Sequence, residues 1–153
     1  VLIGSDLRAS KILKHQFEGG SERPKKSKKS LITTAYLFLN APYLWGGKTP
    51  LGIDCSGFTQ MVYKINGVRL KRDACQQAQQ GQTLSFIQES EAGDLAFFDN
   101  AEGKITHVGL LLENHYIIHA SSSVRIDRID QSGIFNSETQ SHSHKLRFIK
   151  KMI

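Results

Sequence analysis

Apolar residues recur with helical spacing in the first half of this chain and with strand-like spacing in the second, and that segregation narrows its folds most. Leu31, Ala35, Phe38 and Leu39 fall at i, i+4, i+7 and i+8, one face of a helix that Pro42 must end. A second helix is expected from Cys55 through Phe58, Met61, Val62 and Ile65, stopping at Asn66-Gly67. Asp73 suits the N-cap of a short third helix, Ala74 to Gln80, closed by Gly81. After Gly93 the pattern changes. Residues 93–98, 105–112, 115–120, 124–127 and 145–149 read as strands, with turns at Asp99-Asn100 and near Glu113-Asn114. Helices first and strands after predict an α+β domain, its N-terminal helices packed on an antiparallel β-sheet.

A chain of 153 residues has room for one such domain and a core that needs no disulfide staples. Its apolar content of 39% excludes a disordered chain, and no apolar run approaches the roughly 20 residues of a membrane-spanning helix. The net charge of +6 hints at an anionic partner, but most of it sits in the leader. Residues 1–29 hold 8 Lys/Arg against 3 Asp/Glu, whereas residues 30–153 hold 12 against 11. The run Arg23 to Lys29 reads as a solvated linker or helix start, with contact to an anionic surface as the alternative. No aromatics interleave with these lysines, so no nucleic-acid partner is expected. Two segments are therefore expected: 1–29, an N-terminal stretch and basic linker, and 30–153, the folded domain. Without an initiator Met or a signal-peptide pattern, Val1 reads as the start of a trimmed or mature chain, which leaves the compartment open.

The chemistry concentrates around Cys55, in the run Gly52-Ile53-Asp54-Cys55-Ser56-Gly57-Phe58. A thiol needs an imidazole to take its proton, and the imidazole needs a third group to hold its tautomer. His107 and His119 lie on the two arms of the expected hairpin. A turn centred near Glu113 would set them opposite each other to within about a residue, on one face. At the start of a helix, a thiol is expected to have its pKa lowered from about 8.5 into the range of roughly 3.5–7.5. The same amides suit an oxyanion. Cys75 has no CxxC or Cys/His spacing around it that would make a zinc site, and it reads as a small core residue. Trp45 reads as a packing residue, Asp94 as the organiser of a turn, and His15, His115, His142 and His144 as surface residues. No metal or cofactor is expected.

Six segments in order resemble the NlpC-type cell-wall peptidases, a papain-like family of cysteine peptidases: Pro42-Tyr43-Leu44-Trp45-Gly46-Gly47, Asp54 to Phe58, Arg72-Asp73-Ala74, Gly93-Asp94-Leu95, His107-Val108-Gly109 and Ile118 to Ser121. The resemblance runs from about Leu31 to Asp130. It implies a papain-like fold, with Cys55 as nucleophile, His107 as general base and His119 as the group orienting it. It also implies cleavage of peptidoglycan stem peptides at the amide from γ-D-glutamate to a diamino acid. One branch of that family acts on freed muropeptides with an exposed N-terminal L-Ala, and Tyr43, Asp54, Ser56 and Asp73 stand at its substrate-binding positions. That branch carries N-terminal SH3-like domains, of which Val1 to about Asp6 would be the last strand. The expected partner is thus a stem peptide or muropeptide, met by a monomer in the bacterial envelope, with cytoplasmic recycling as the alternative. The rival readings are another thiol-dependent amidase or acyl transfer on the same scaffold, or a wall-binding module with a weak site.

Overall fold

In the computed structural model, residues 27–153 are described, and the expected SH3-like strand near Val1 lies outside them. Ser27 caps the first helix, α1 (Lys28–Tyr36), by accepting the Ser30 amide at 3.2 Å. The helix therefore starts within the basic run. Lys28 is not left to solvent: its Nζ lies 2.7 Å from both Glu91 and the buried Asp94. Asp94 also accepts the Glu91 amide at 2.9 Å, which makes the turn expected of it.

After Pro42, two short strands form a ribbon, β1 (Lys48–Thr49) and β2 (Gly52–Ile53), and lead into α2 (Cys55–Ile65) and the four-residue α3 (Ala74–Gln77). The remaining strands are β3 (Gln82–Leu84), β4 (Leu95–Asp99), β5 (Ile105–Leu111), β6 (Tyr116–Ser121), β7 (Ser123–Ile129), β8 (Gly133–Asn136) and β9 (Ser141–Lys151). All pairings in their sheet are antiparallel, in the order β3-β9-β4-β5-β6-β7-β8. The expected α+β layering is present, but the sheet does not stay open. β9 pairs with β4 on one side and with β8 on the other, so β4 to β9 close into a six-stranded barrel. Register shifts where β9 meets β4 and β8 give the strand the bend that closure needs.

Strand alternation then divides the core in two. Leu95, Phe97, Val108, Leu110, Ile118 and Ala120 face the helices, where they pack with Leu31, Phe38, Phe58 and Val62. Ala96, Phe98, Leu111, Ile117, Ile129 and Ile134 fill the barrel. Tyr63 on α2 is fully buried and donates its hydroxyl to the Gly93 carbonyl at 2.6 Å, anchoring that helix to the approach of β4.

Candidate active site

Asp54 does most of the local work. As N-cap of α2 it accepts the Gly57 amide at 2.6 Å on Oδ1, while Oδ2 accepts the Gly46 amide at 2.8 Å from the preceding loop. Gly57 is required here, because a Cβ would stand 2.3 Å from the Gly47 carbonyl oxygen and 2.9 Å from Asp54 Oδ1. Arg72 closes over the same carboxylate with two bonds, 3.0 Å to Oδ1 and 2.6 Å to Oδ2, and donates to Ser56 Oγ at 2.9 Å. Burial pushes the Asp54 carboxyl up, but Arg72 and the two amides outweigh it and hold it below the usual carboxylate range. A group depressed in this way contributes stability above its unfolded pKa of about 3.9 and loses it as pH falls through the folded value. Asn caps helices as well as Asp. Asp54→Asn should therefore lose about 2 kcal/mol at pH 7. The gap in Tm from wild type should narrow below about pH 4. A gap that stays constant down to pH 2 would assign the loss to capping alone.

Cys55 follows as the first residue of α2, only 6% exposed. Burial pushes its thiol up to about 11, with the Asp54 charge adding to the rise; the amides of Val108, Ser56 and Cys55 itself pull the other way. The helix terminus acts in the expected direction but loses to desolvation, so in the free protein the thiol is protonated at neutral pH. This corrects the helix-activated thiolate expected from sequence.

The Val108 amide against the thiol places Cys55 beside the residue that precedes Val108, His107. A register shift between β4 and β5 falls immediately before His107, which pairs with Phe98. His107 Nε2 lies 2.9 Å from His119 Nδ1. The hairpin turn sits slightly later than expected, so His119 pairs with Gly109, and His107 is its diagonal neighbour on the same face. Gly109 permits this approach, because a Cβ there would lie 2.9 Å from the His119 Cβ. His107 is held well below the ordinary imidazole range by burial, with His119 and His144 adding to the effect.

Asp127, Arg125 and Gln77, to which the sequence reading assigns no role, complete the cluster together with His144. His119 Nε2 lies 2.9 Å from Asp127 Oδ2, and Asp127 is itself clasped by Arg125, from Nε at 2.7 Å and Nη2 at 3.0 Å. Burial pushes Asp127 up, but His119 and Arg125 more than compensate and keep it below the usual carboxylate range. His144, expected on the surface, stacks on His107 with ring centroids 4.1 Å apart and planes 28° from parallel; burial and His119 push it down to about 4. Fully buried Gln77 ties the front of the site together, donating to the carbonyls of Ser56 at 2.9 Å and Lys71 at 3.0 Å and accepting from Thr59 at 2.8 Å.

A cleft of about 760 Å³ opens over Cys55, walled by Trp45, Asp54, Ser56, Arg72, Asp73 and Thr106. Two expectations are corrected here. Trp45 is 84% exposed in the cleft wall and packs in no core, and Cys75 is an exposed residue of the same wall. Asp73 is exposed at the N-cap of α3, and Tyr43 stands close enough for Cys55 and Asp54 to help burial raise its phenol. A larger hollow of about 1000 Å³ against α1 holds no cysteine or histidine. Among the described residues no group of three or more His, Cys, Asp or Glu side chains is arranged to hold a metal ion.

Helices laid on an antiparallel barrel, with a cysteine opening one helix and paired histidines on the adjacent strands, define a papain-like α+β domain. The chain belongs to the NlpC/P60 family, whose model matches residues 40–145. It is 42% identical over 98 residues to a γ-D-glutamyl-L-lysine dipeptidyl-peptidase of Bacillus subtilis strain 168, covering 63% of this chain and 33% of that protein. A protein of the same name from Bacillus cereus is 32% identical over 111 residues, covering 71% and 33%. The chain thus spans about a third of the length of these curated relatives. Among solved structures it is similar to an NlpC/P60 family protein from Bacillus cereus ATCC 10987, with a TM-score of 0.71 and 28% identity over 86% of this chain and 42% of that one. It is also similar to the NlpC/p60 domain of the peptidoglycan hydrolase SagA, with a TM-score of 0.66 and 29% identity over 82% and 99%.

Proposed function

We propose that this chain is a cysteine peptidase that hydrolyses the amide between γ-D-glutamate and a diamino acid in cell-wall peptides. One observation carries the proposal: Cys55 begins α2 against the Val108 amide, next to a His107 already bonded to His119, at the floor of an open cleft. In the resting site both the thiol and His107 are neutral. His107 therefore acts as a general base as sulfur attacks the carbonyl carbon, taking the thiol proton on Nδ1, the ring nitrogen not engaged with His119. The imidazolium then protonates the leaving amine, and water releases the acid from the thioester. The names of the two Bacillus relatives support the choice of bond.

Tyr43, Asp54, Ser56 and Asp73 form the substrate-binding end in this reading. The oxygens of Asp54 are taken by amides, Ser56 and Arg72, so its part is to hold Arg72 and the loop in place. Asp73 is the exposed carboxylate in the cleft, and it faces the free ammonium of an N-terminal L-Ala. In this reading the chain works as a monomer in the cell envelope, with cytoplasmic recycling of freed muropeptides as the alternative.

The test compares L-Ala-γ-D-Glu-diaminopimelate with its N-acetyl form, following products by mass spectrometry. Release of the free diamino acid is expected, where an acyl transferase would give a transferred acyl group. Acetylation removes the charge opposite Asp73 and should lower kcat/KM by about 100-fold. In Asp73→Asn the two peptides should react at similar rates. Equal rates on wild type would sink amine recognition and point to cleavage within intact wall.

A further inference from the structure

Asp127 is a buried carboxylate with an arrangement that a structural ion pair would not need. Its Oδ2 receives both His119 Nε2, at 2.9 Å, and Arg125 Nε, at 2.7 Å, while Oδ1 receives Arg125 Nη2 at 3.0 Å. The guanidinium is held in turn by Glu138 at 3.2 Å. The register builds this group locally. β6 and β7 meet in a tight turn with Ser122 at φ 60°, which sets Arg125 directly across from His119 and Asp127 two residues along on the same face.

We infer that Asp127, clamped by Arg125, is a positioning residue that sets the tautomers of both histidines and thereby selects which nitrogen of His107 meets the thiol. Arg125 donates to both carboxylate oxygens and keeps Asp127 acceptor-only. Its neighbour at Oδ2 must then be a donor, so His119 carries its proton on Nε2. A neutral His119 with Nε2–H presents a lone pair at Nδ1, and the nitrogen facing it, His107 Nε2, must hold a proton. That leaves Nδ1 of His107 as the only nitrogen able to accept. When it takes the thiol proton, the positive charge is stabilised through His119 by the Asp127 carboxylate, which stays ionised throughout. Without Asp127, His119 gains access to the tautomer with Nδ1–H. His107 Nε2 would then act as acceptor, and its Nδ1 would hold a proton and face the thiol as a donor.

This inference rests on the proposed roles of Cys55 and His107, and its test separates the two. In ¹⁵N-histidine spectra of the wild-type chain at pH 7, His119 should show a protonated Nε2 and an unprotonated Nδ1, a readout that needs no turnover. If the spectra agree but no peptide is cleaved, the proposed function fails and the tautomer assignment stands. Asp127→Asn should give mixed His119 tautomers and a kcat about 10- to 100-fold lower, with KM within about threefold of wild type. In a His119→Asn background, adding Asp127→Asn should cost less than about threefold more, because the carboxylate acts only through the ring that is gone. Should Asp127→Asn not fold, Arg125→Gln keeps the carboxylate and alters a side chain that is 21% exposed. It should show partial tautomer mixing and a kcat down by about three- to tenfold. Wild-type ring signals in Asp127→Asn or Arg125→Gln, or fully additive losses in the double variant, would overturn the inference.

Discussion

Cys55→Ala should lower hydrolysis of a γ-D-glutamyl peptide by about four orders of magnitude or more while leaving the fold intact. Loss of a covalent nucleophile removes the acyl-enzyme route altogether, and only binding and oxyanion contacts remain. The packing change is small. One sulfur leaves a helix start that Asp54 still caps and Arg72 still closes, so unfolding stability should stay within about 1–2 kcal/mol. Measuring turnover and urea unfolding on the same preparation checks both halves. A variant that keeps one hundredth of wild-type activity would remove Cys55 as nucleophile. Burial adds a second expectation. With its thiol raised to about 11 and nearly inaccessible, Cys55 in the free protein should react with iodoacetamide at pH 7 no faster than exposed Cys75. Rapid labelling of Cys55 alone would show that a thiolate–imidazolium pair already exists at rest.

His107→Ala should be almost as inactive as Cys55→Ala, down by about 10³-fold or more, whereas His119→Asn should retain turnover within about 10- to 100-fold of wild type. The difference follows from what each ring does. In the proposed mechanism His107 takes and returns a proton, and the Asp54 carboxylate near the thiol is already engaged by Arg72 and two backbone amides. His119 must only accept the His107 Nε2–H, which an Asn side-chain oxygen also does. Both substitutions are made on a face supported by Phe98 and His144, so circular dichroism should show an unchanged fold. If His119→Asn is folded yet as inactive as His107→Ala, the second imidazole takes part in the proton transfer itself.

Much of the site was legible because its signals are local. A carboxylate before a helix, a glycine at its third position and a hairpin with two histidines are short-range features. They sufficed to place Cys55 at a helix start and to bring His107 and His119 onto one face. The same hairpin arithmetic applied to β6 and β7 would have set Arg125 opposite His119 and Asp127 beside it, a signal present in the chain and passed over. His144 had no such signal. It reaches His107 only because β9, after pairing with β8 over residues 141–145, bends to pair with β4. Its own stretch, Ser141-His142-Ser143-His144-Lys145, alternates polar residues and resembles a surface strand.

Chain order and residue type by themselves determined the helix-then-sheet layering, the position of Cys55 at a helix start and the pairing of the histidines, because each depends on caps, turns and two-residue alternation. Tertiary structure alone decided the closure of the barrel, the exposure of Trp45 and Cys75, the Arg72 clasp on Asp54 and the protonation of the thiol. Those outcomes depend on how much water each group loses and on what arrives from distant strands. Desolvation of Cys55 outweighs the helix terminus that sequence could see, and only the packed fold sets that balance.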